Sequence, residues 1–396
     1  MATEKGVWDL QDVRDKQLAS EWSYTGPEFS LYGWGSNTYG QLGINITGAG
    51  GYNNSRSSPT QIPGEYKKLW TLSDSRAVAV SKNGSDATGY DLWMWGTNQR
   101  GGLGQNQPTT TAKSSPVQVG TDTTWKYVAG SPWARVASKT DGTLWAWGGA
   151  QESGGLGLND RTERSSPMQI GTDTTWTGAI HTLSSDSSYV YKTDGTLWVW
   201  GENSYGQLGV NTGIDYSSPV QLPGTYSTVS GTGQEAAFIK SGGELWVTGR
   251  NFWGGLGQND RVEYSSPVQI PGTTWSTASP GYSSGMATKT DGTLWVWGNA
   301  LSGCLGLNTP GVGGSAISSP AQLGTDTTWS NTFSMGRTAG AIKTDGTLWM
   351  WGSSVSGELG FNNRVDLSSP TQVGTDTNWT KLITTSWYGN TFAGKS

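Results

Sequence analysis

One cysteine (Cys304) and one histidine (His181) are all that 396 residues contain of either type. A lone cysteine excludes an intrachain disulfide, so packing must hold the fold. The same two scarcities exclude the usual zinc sites, whose ligands come mostly from Cys and His. Charge is sparse as well: Asp, Glu, Lys and Arg make up 14 % of the chain, and the formal net charge is −5. Binding nucleic acid takes a basic stripe that displaces counterions from phosphate, and this balance argues against it. No run of 18 apolar residues exists, so no helix crosses a membrane. The opening "MATEKGVWDLQDVRDKQLASEW" is charged throughout and lacks an apolar core, so it does not read as a signal peptide.

In place of these the chain has 60 glycines and 23 tryptophans. They are periodic. "LWxWG" recurs around Trp95, Trp147, Trp200, Trp297 and Trp351, with altered copies at Trp34 ("LYGWG") and Thr248 ("LWVTG"). Each is followed by a "GxLGxN" segment and then by "SSP", ending at Pro59, Pro116, Pro167, Pro219, Pro267, Pro320 and Pro370. The heptapeptide KTDGTLW stands at 139–145, 192–198, 289–295 and 343–349. Its Asp-Gly pair predicts a hairpin with a type I′ turn. "TLWVWG" is apolar on both alternating faces, which suits a strand packed on both sides. "SSPVQV" places proline at a strand entrance, and "TDTTW" leads into another short strand. Four short strands per roughly 50 residues, repeated seven times, predict an all-β, seven-bladed β-propeller. "NTFAGKS" at 390–396 stops where the Asp-Gly turn is due, and "PEFSLYGWG" at 27–35 resumes from there. One blade is therefore expected to be shared by the two ends of the chain. The domain reading is an N-terminal extension, 1–26, and a propeller, 27–396.

The repeat "LWVWGENSYGQLGVN…SSPVQL" at 197–222, with its six relatives, resembles the RCC1 (regulator of chromosome condensation) superfamily over residues 27–396. The resemblance implies a seven-bladed propeller and, in many relatives, a binding platform. It carries no catalytic residue over, because the charged loops and wedge of the nucleotide-exchange members match no position here. Residues 5–22, "KGVWDLQDVRDKQLASEW", resemble N-terminal peptides of bacteriophage tail and structural proteins. Trp8, Leu10, Val13, Leu18 and Trp22 are the apolar handles by which this segment would dock on a neighbour.

Nothing in the repeats demands chemistry. Asp141, Asp194, Asp291 and Asp345 recur, but a hairpin turn accounts for them. "GLND" at 157–160 and "GQND" at 257–260 lack the acidic density of a calcium loop, and "GGLG" lacks the Lys-Ser/Thr of a phosphate loop. The expectation is no catalytic residue, no metal and no cofactor. Trp133, Trp253 and Trp387 fall outside the repeated tryptophan positions and are better placed for exposed contacts. The connections from "LGxN" to "SSP" are longest in units one, two and six, and would form an arc on one face, opposite the Asp-Gly turns. Tyr52, Asn53, Arg56, Thr110, Lys113 and Val312 are the candidate contacts on that arc. The reading is a non-enzymatic bacteriophage virion protein whose partners are other virion proteins and a host surface receptor or glycan. The alternative is a cellular, cytoplasmic RCC1-like scaffold, and more remotely a guanine-nucleotide exchange factor.

Overall fold

The computed structural model describes residues 29–46, 54–70, 72, 77–107, 112–131, 133–150, 153–182, 186–232, 234–281, 283–308, 316–335, 337–385 and 390–395. Within these the chain is all-β, apart from two short 3₁₀ turns at Gln99–Gly101 and Leu301–Gly303. The strands form seven antiparallel sheets, one per repeat. Blade 6 is typical: Trp275–Pro280 is innermost, followed by Ser284–Lys289, Leu294–Asn299 and the outer strand Ala316–Gln322. Inner strands of neighbouring blades touch one another around the axis. The outer strands, which carry "SSP", are only partly buried.

The ring is closed by blade 1 as expected. Its inner strands, Trp379–Thr385 and Asn390–Lys395, come from the end of the chain, and Phe29–Gly35 and Arg56–Tyr66 from the beginning. Phe29–Gly35 and Asn390–Lys395 pair from Ser30↔Lys395 to Gly35↔Asn390. The extension 1–26, with Trp8, Leu10, Val13, Leu18 and Trp22, lies outside the described residues.

The core lies between blades. Each buried cluster joins two neighbouring sheets: Leu197, Val199 and Leu222 of blade 4 meet Val229, Ala236 and Phe238 of blade 5. On the other face of the same strand, Trp200 packs with Val136, Leu144 and Ile170 of blade 3. This is why "LWVWG" is apolar on both faces. Its second tryptophan is buried in each of the six blades that have it.

Two local expectations need correction. The Asp-Gly turn is not type I′. In blade 3 the Gly142 N–H donates to Lys139 O (3.1 Å) and the Lys139 N–H to Thr143 O (3.1 Å). Only Gly142 has positive φ (+79°), so the loop Thr140-Asp141-Gly142 is a three-residue turn ending in a glycine bulge. Proline, for its part, does not stand at a strand entrance. Pro219 lies inside Tyr216–Leu222, where the register shifts between Val199↔Val220 and Gly201↔Tyr216. An edge strand with a bulge tolerates the missing N–H there.

KTDGTLW is now legible residue by residue. Asp141 Oδ1 accepts from Thr143 N (2.9 Å) and Thr143 Oγ1 (2.7 Å). Thr143 Oγ1 in turn accepts from Trp145 Nε1 (2.8 Å). Lys139 Nζ lies 3.6 Å from the Trp145 ring centre and 4.8 Å from that of Trp125. It also pairs with Asp122 of the preceding "TDTTW" at 2.7 Å. The four recurring aspartates therefore serve turn geometry.

One element has no counterpart in the repeat pattern. "SKNGSDATGYD" in blade 2 forms a small hairpin, Gly84–Ser85 with Gly89–Tyr90, that pairs through Tyr90↔Trp125 onto blade 3. Lys68–Asp86 (3.0 Å) and Tyr90–Asp86 (3.0 Å) tie it down.

Candidate functional site

The strand ends define two faces. The Asp-Gly turns occupy one, and the connections from "WG" to "SSP" occupy the other, called here the loop face. Every junction between blades is fastened on the loop side by the repeated motif. Trp200 Nε1 donates to Gly155 O of blade 3 (3.1 Å), Trp297 to Gly255 O (2.7 Å) and Trp351 to Cys304 O (2.9 Å). Trp34, Trp95 and Trp147 do the same toward Glu358, Gln41 and Gly102. In blade 5, where the tryptophan is missing, Thr248 Oγ1 reaches Gly206 O (3.0 Å).

A second fastening comes from the "LGxN" asparagine. All seven, Asn45, Asn106, Asn159, Asn211, Asn259, Asn308 and Asn362, have φ between +52° and +61°. Asparagine is among the few non-glycine residues that visit this region readily. The turn aims each backbone N–H at the first "SSP" serine of the next blade, as in Asn211 N→Ser265 O (2.8 Å) and, across the seam, Asn362 N→Ser57 O (2.7 Å).

These fastenings leave the loop tips rigid and outward. Asn203 Oδ1 accepts from Leu208 N (2.9 Å) while its Nδ2 donates to Thr212 O (2.8 Å) and Ile214 O (3.0 Å). Asn251 repeats this with Leu256 N and Asp260. The tips carry apolar side chains: Ile214, Phe252, Val262, Val355 and Val365 are 56–67 % exposed. With Ile46 they are six of the eight exposed large hydrophobics among the described residues, so apolar exposure is concentrated on this face. In blade 5 the tip adds cations. The Phe252 and Trp253 rings meet edge to face at 5.0 Å. Arg250 lies over Tyr205 (5.1 Å) and Phe252 (5.9 Å), and Arg261 over Trp253 (5.9 Å).

Beneath the loop face lie buried ionisable groups. Asp186 accepts from Ser131 Oγ across the junction of blades 3 and 4, and Arg135 is buried beside it, donating to Ser131 O and Ala134 O. Burial pushes the Asp186 carboxyl up to about 7, against the pull of Ser131 and Arg135. Glu235 is likewise raised by burial, and Glu358 in the same direction. On the turn face the sign reverses: the Lys192 ammonium and Thr175 hold Asp173 at about 2. Unfolded, Asp186 titrates near 4; folded, near 7. The folded state thus binds the extra proton between these values, and stability falls as pH rises through that window. Thermal unfolding at pH 5 and pH 8 should show a higher midpoint at pH 5, and Asp186→Asn should flatten the difference. An unchanged slope in that variant would assign the dependence to other groups.

The sequence-level candidates fare unevenly. Tyr52, Asn53, Thr110, Val312 and Trp387 lie outside the described residues. Arg56 and Lys113 are described, half-buried at the loop-side ends of outer strands in neighbouring blades. Trp133 and Trp253 are both half-buried, Trp133 under Arg100 (5.0 Å) and Trp253 in the blade 5 cluster. Cys304 is buried, its thiol pushed up to about 12 by burial, and its carbonyl serves Trp351. Asp160 and Asp260 spend their oxygens on Thr162, Arg164, Asn251, Val262 and Tyr264. No group of three or more metal-liganding side chains occurs among the described residues. The exposed tips Ile214, Phe252, Val262, Val355 and Val365 went unnoticed in sequence. Aligning the repeats was the available signal: Ile214, Val262 and Val365 share one position, three residues after the "LGxN" asparagine, where blade 3 has Thr162.

The family described as "Regulator of chromosome condensation (RCC1) repeat" matches residues 30–81, across blades 1 and 2, and 194–231, across blades 4 and 5. The chain is a seven-bladed propeller that contains RCC1 repeats. Among curated relatives, the ultraviolet-B receptor UVR8 of Arabidopsis thaliana is 27 % identical over 257 residues, 50 % of this chain and 55 % of that one. The X-linked retinitis pigmentosa GTPase regulator of Canis lupus familiaris is 34 % identical over 133 residues, 33 % of this chain and 13 % of that one. The propeller thus matches about half, or much less, of each relative's length. Among solved structures, Prp20p of Saccharomyces cerevisiae superposes with a TM-score of 0.78 at 16 % identity, covering 94 % of this chain and 92 % of that one. Human WBSCR16 gives 0.74 at 17 %, covering 93 % and 99 %. At such identities these likenesses speak for the fold. No helix among the described residues is long and apolar enough to cross a membrane.

Proposed function

We propose that this RCC1-repeat propeller is a non-enzymatic scaffold that docks a protein partner on its loop face. The observation that carries this is the one-sided exposure of Ile214, Phe252 and Val262, on tips pinned by the buried Asn203 and Asn251, together with Val355 and Val365 in blade 7. Aromatic and arginine side chains, which blade 5 presents together, are the residues enriched at protein interfaces. The solved neighbour Prp20p is described by its binding to Gsp1p and histones, which supports protein binding as the mode of action and names no partner here. The test is a pull-down from the source cells with wild type, with Phe252→Asp/Val262→Asp, and with the turn-face control Asp194→Lys. A partner held by wild type and the control but released by the loop-face variant is the expected result. Equal retention by all three would move the docking surface elsewhere.

The virion setting is a finer reading that rests on the resemblance of residues 5–22 to phage structural proteins. In it, residues 1–26 anchor the propeller to a particle through Trp8, Leu10, Val13, Leu18 and Trp22. Including a variant lacking residues 1–26 in the same pull-down distinguishes the two. Loss of virion proteins from that variant alone supports an anchor, whereas a cellular partner retained through the loop face supports the cytoplasmic scaffold.

A further inference from the structure

The turn face contains a comparison that the protein makes with itself. In blades 3, 4 and 7 a lysine at the end of the second strand lies over two tryptophans and is paired with the aspartate of "TDTTW". The pairs are Lys139–Asp122 (2.7 Å), Lys192–Asp173 (2.6 Å) and Lys343–Asp326 (2.5 Å). Blade 6 keeps the lysine and both rings: Lys289 Nζ lies 4.0 Å from the centre of Trp295 and 4.8 Å from that of Trp275. Its sister distances are 3.6–4.0 Å and 4.6–4.8 Å, so the cage is unchanged. What is missing is the carboxylate. "GTDTTW" is here "PGTTW" (271–275), one residue shorter, and Gly272 stands in the place of the aspartate.

Two other blades have also lost this aspartate, but each brings an acid back. Blade 2 has Asp91 and blade 5 has Glu244 at the position filled by threonine in KTDGTLW, beside Lys82 and Lys240. Blade 6 retains the threonine, Thr293. Its turn aspartate, Asp291, is shared with the sister turns and has one oxygen engaged by Thr293 N (2.9 Å) and Oγ1 (2.7 Å). Lys289 makes no ion pair among the described residues. A lysine normally loses side-chain entropy when it pairs with a carboxylate. Here the two indole faces already hold the ammonium in the sister geometry.

We propose that Lys289 is the anchor of a second interaction site, on the turn face of blade 6, for an acidic segment of another protein. A carboxylate of the partner takes the place that Asp122, Asp173 and Asp326 fill in the sister blades. This site lies on the opposite face from the docking tips and stands or falls separately from them.

The probe is an acetylated, amidated hexa-aspartate peptide, offered to the full chain at low salt and coupled with a carbodiimide, which joins carboxylates to amines in contact. Mass spectrometry should find the peptide on Lys289 at least about tenfold more often than on Lys139, Lys192 or Lys343, whose amines already have carboxylates. Peptide binding, read by fluorescence anisotropy, should weaken about tenfold in Lys289→Gln and stay unchanged in Lys343→Gln. Coupling spread evenly over all the lysines, or binding insensitive to Lys289→Gln, would overturn the proposal. Because the Trp275 and Trp295 stack could be disturbed by the substitution, Lys289→Arg serves as the second variant. It keeps the charge over the rings and should retain peptide binding, and a loss equal to that of Lys289→Gln would also count against the site.

Discussion

Trp351→Ala should destabilise the propeller by about 3–5 kcal/mol, the range for emptying a fully buried aromatic site. Trp351 has no exposed surface, and its ring packs against Trp329 at 6.2 Å among Met286, Leu305 and Leu323 of the preceding blade. Removing it opens a cavity at the junction of blades 6 and 7 and leaves Cys304 O without its indole donor. Neither neighbour can collapse into the space, because each is fixed on its far side to a further blade. Trp351→Phe separates the two contributions. Most of the ring area stays while the hydrogen bond goes, so the expected cost is about 1–2 kcal/mol. Denaturant titration followed by tryptophan emission checks both variants. A cost for Ala no larger than for Phe would show that packing is not what closes the junction.

Gly292→Ala and Gly195→Ala occupy the same position of the same heptapeptide and should nevertheless differ about twofold in their cost to stability. Both glycines have positive φ, +78° and +81°. An alanine there costs about 1–2 kcal/mol through the backbone alone. At Gly292 a Cβ would also collide with the backbone carbonyl of Thr327, where the chain crosses to blade 7 and Trp329 N donates to Gly292 O (3.2 Å). Backbone cannot step aside as a side-chain tip can, so overpacking adds about 1–3 kcal/mol. At Gly195 nothing lies within 4 Å of the added carbon. Gly292→Ala is therefore expected to cost about 2–5 kcal/mol and Gly195→Ala about 1–2. Equal losses, measured by thermal or denaturant unfolding, would mean that the turn's own geometry dominates and the crossing contact adds nothing.

The architecture was legible because periodicity is an amplified signal. Seven noisy copies of strand, turn and bulge average to one blade, and the arithmetic at 390–396 and 27–35 located the shared blade. The turn type was misjudged because Asp-Gly is compatible with two hairpin loops. The same three-residue loop forms in blade 5 with neither the aspartate nor the threonine, where Lys240 N donates to Glu244 O (3.0 Å) and Gly243 N to Lys240 O (2.9 Å), so the dipeptide alone does not tell the two apart. The functions of Asn211 and Ser265 were hidden for a different reason. Each is spent on a neighbouring blade, and sequence comparison aligns a repeat with itself, never with the next one. For the same reason the exposed tips were missed: Ile214 and Val262 look like ordinary apolar residues until the asparagines beneath them are seen to turn them outward.

The junction between blades 4 and 5 lacks the tryptophan fastening, having Thr248 in its place, and lacks the carbonyl contact under the Asp-Gly turn. The Asp194-Gly195 turn is consequently a free end-loop on an otherwise interlocked ring. A guest domain spliced there would hang from the turn face without forcing two blades apart, and the propeller could then carry cargo on one side while its tips stay open to a partner on the other.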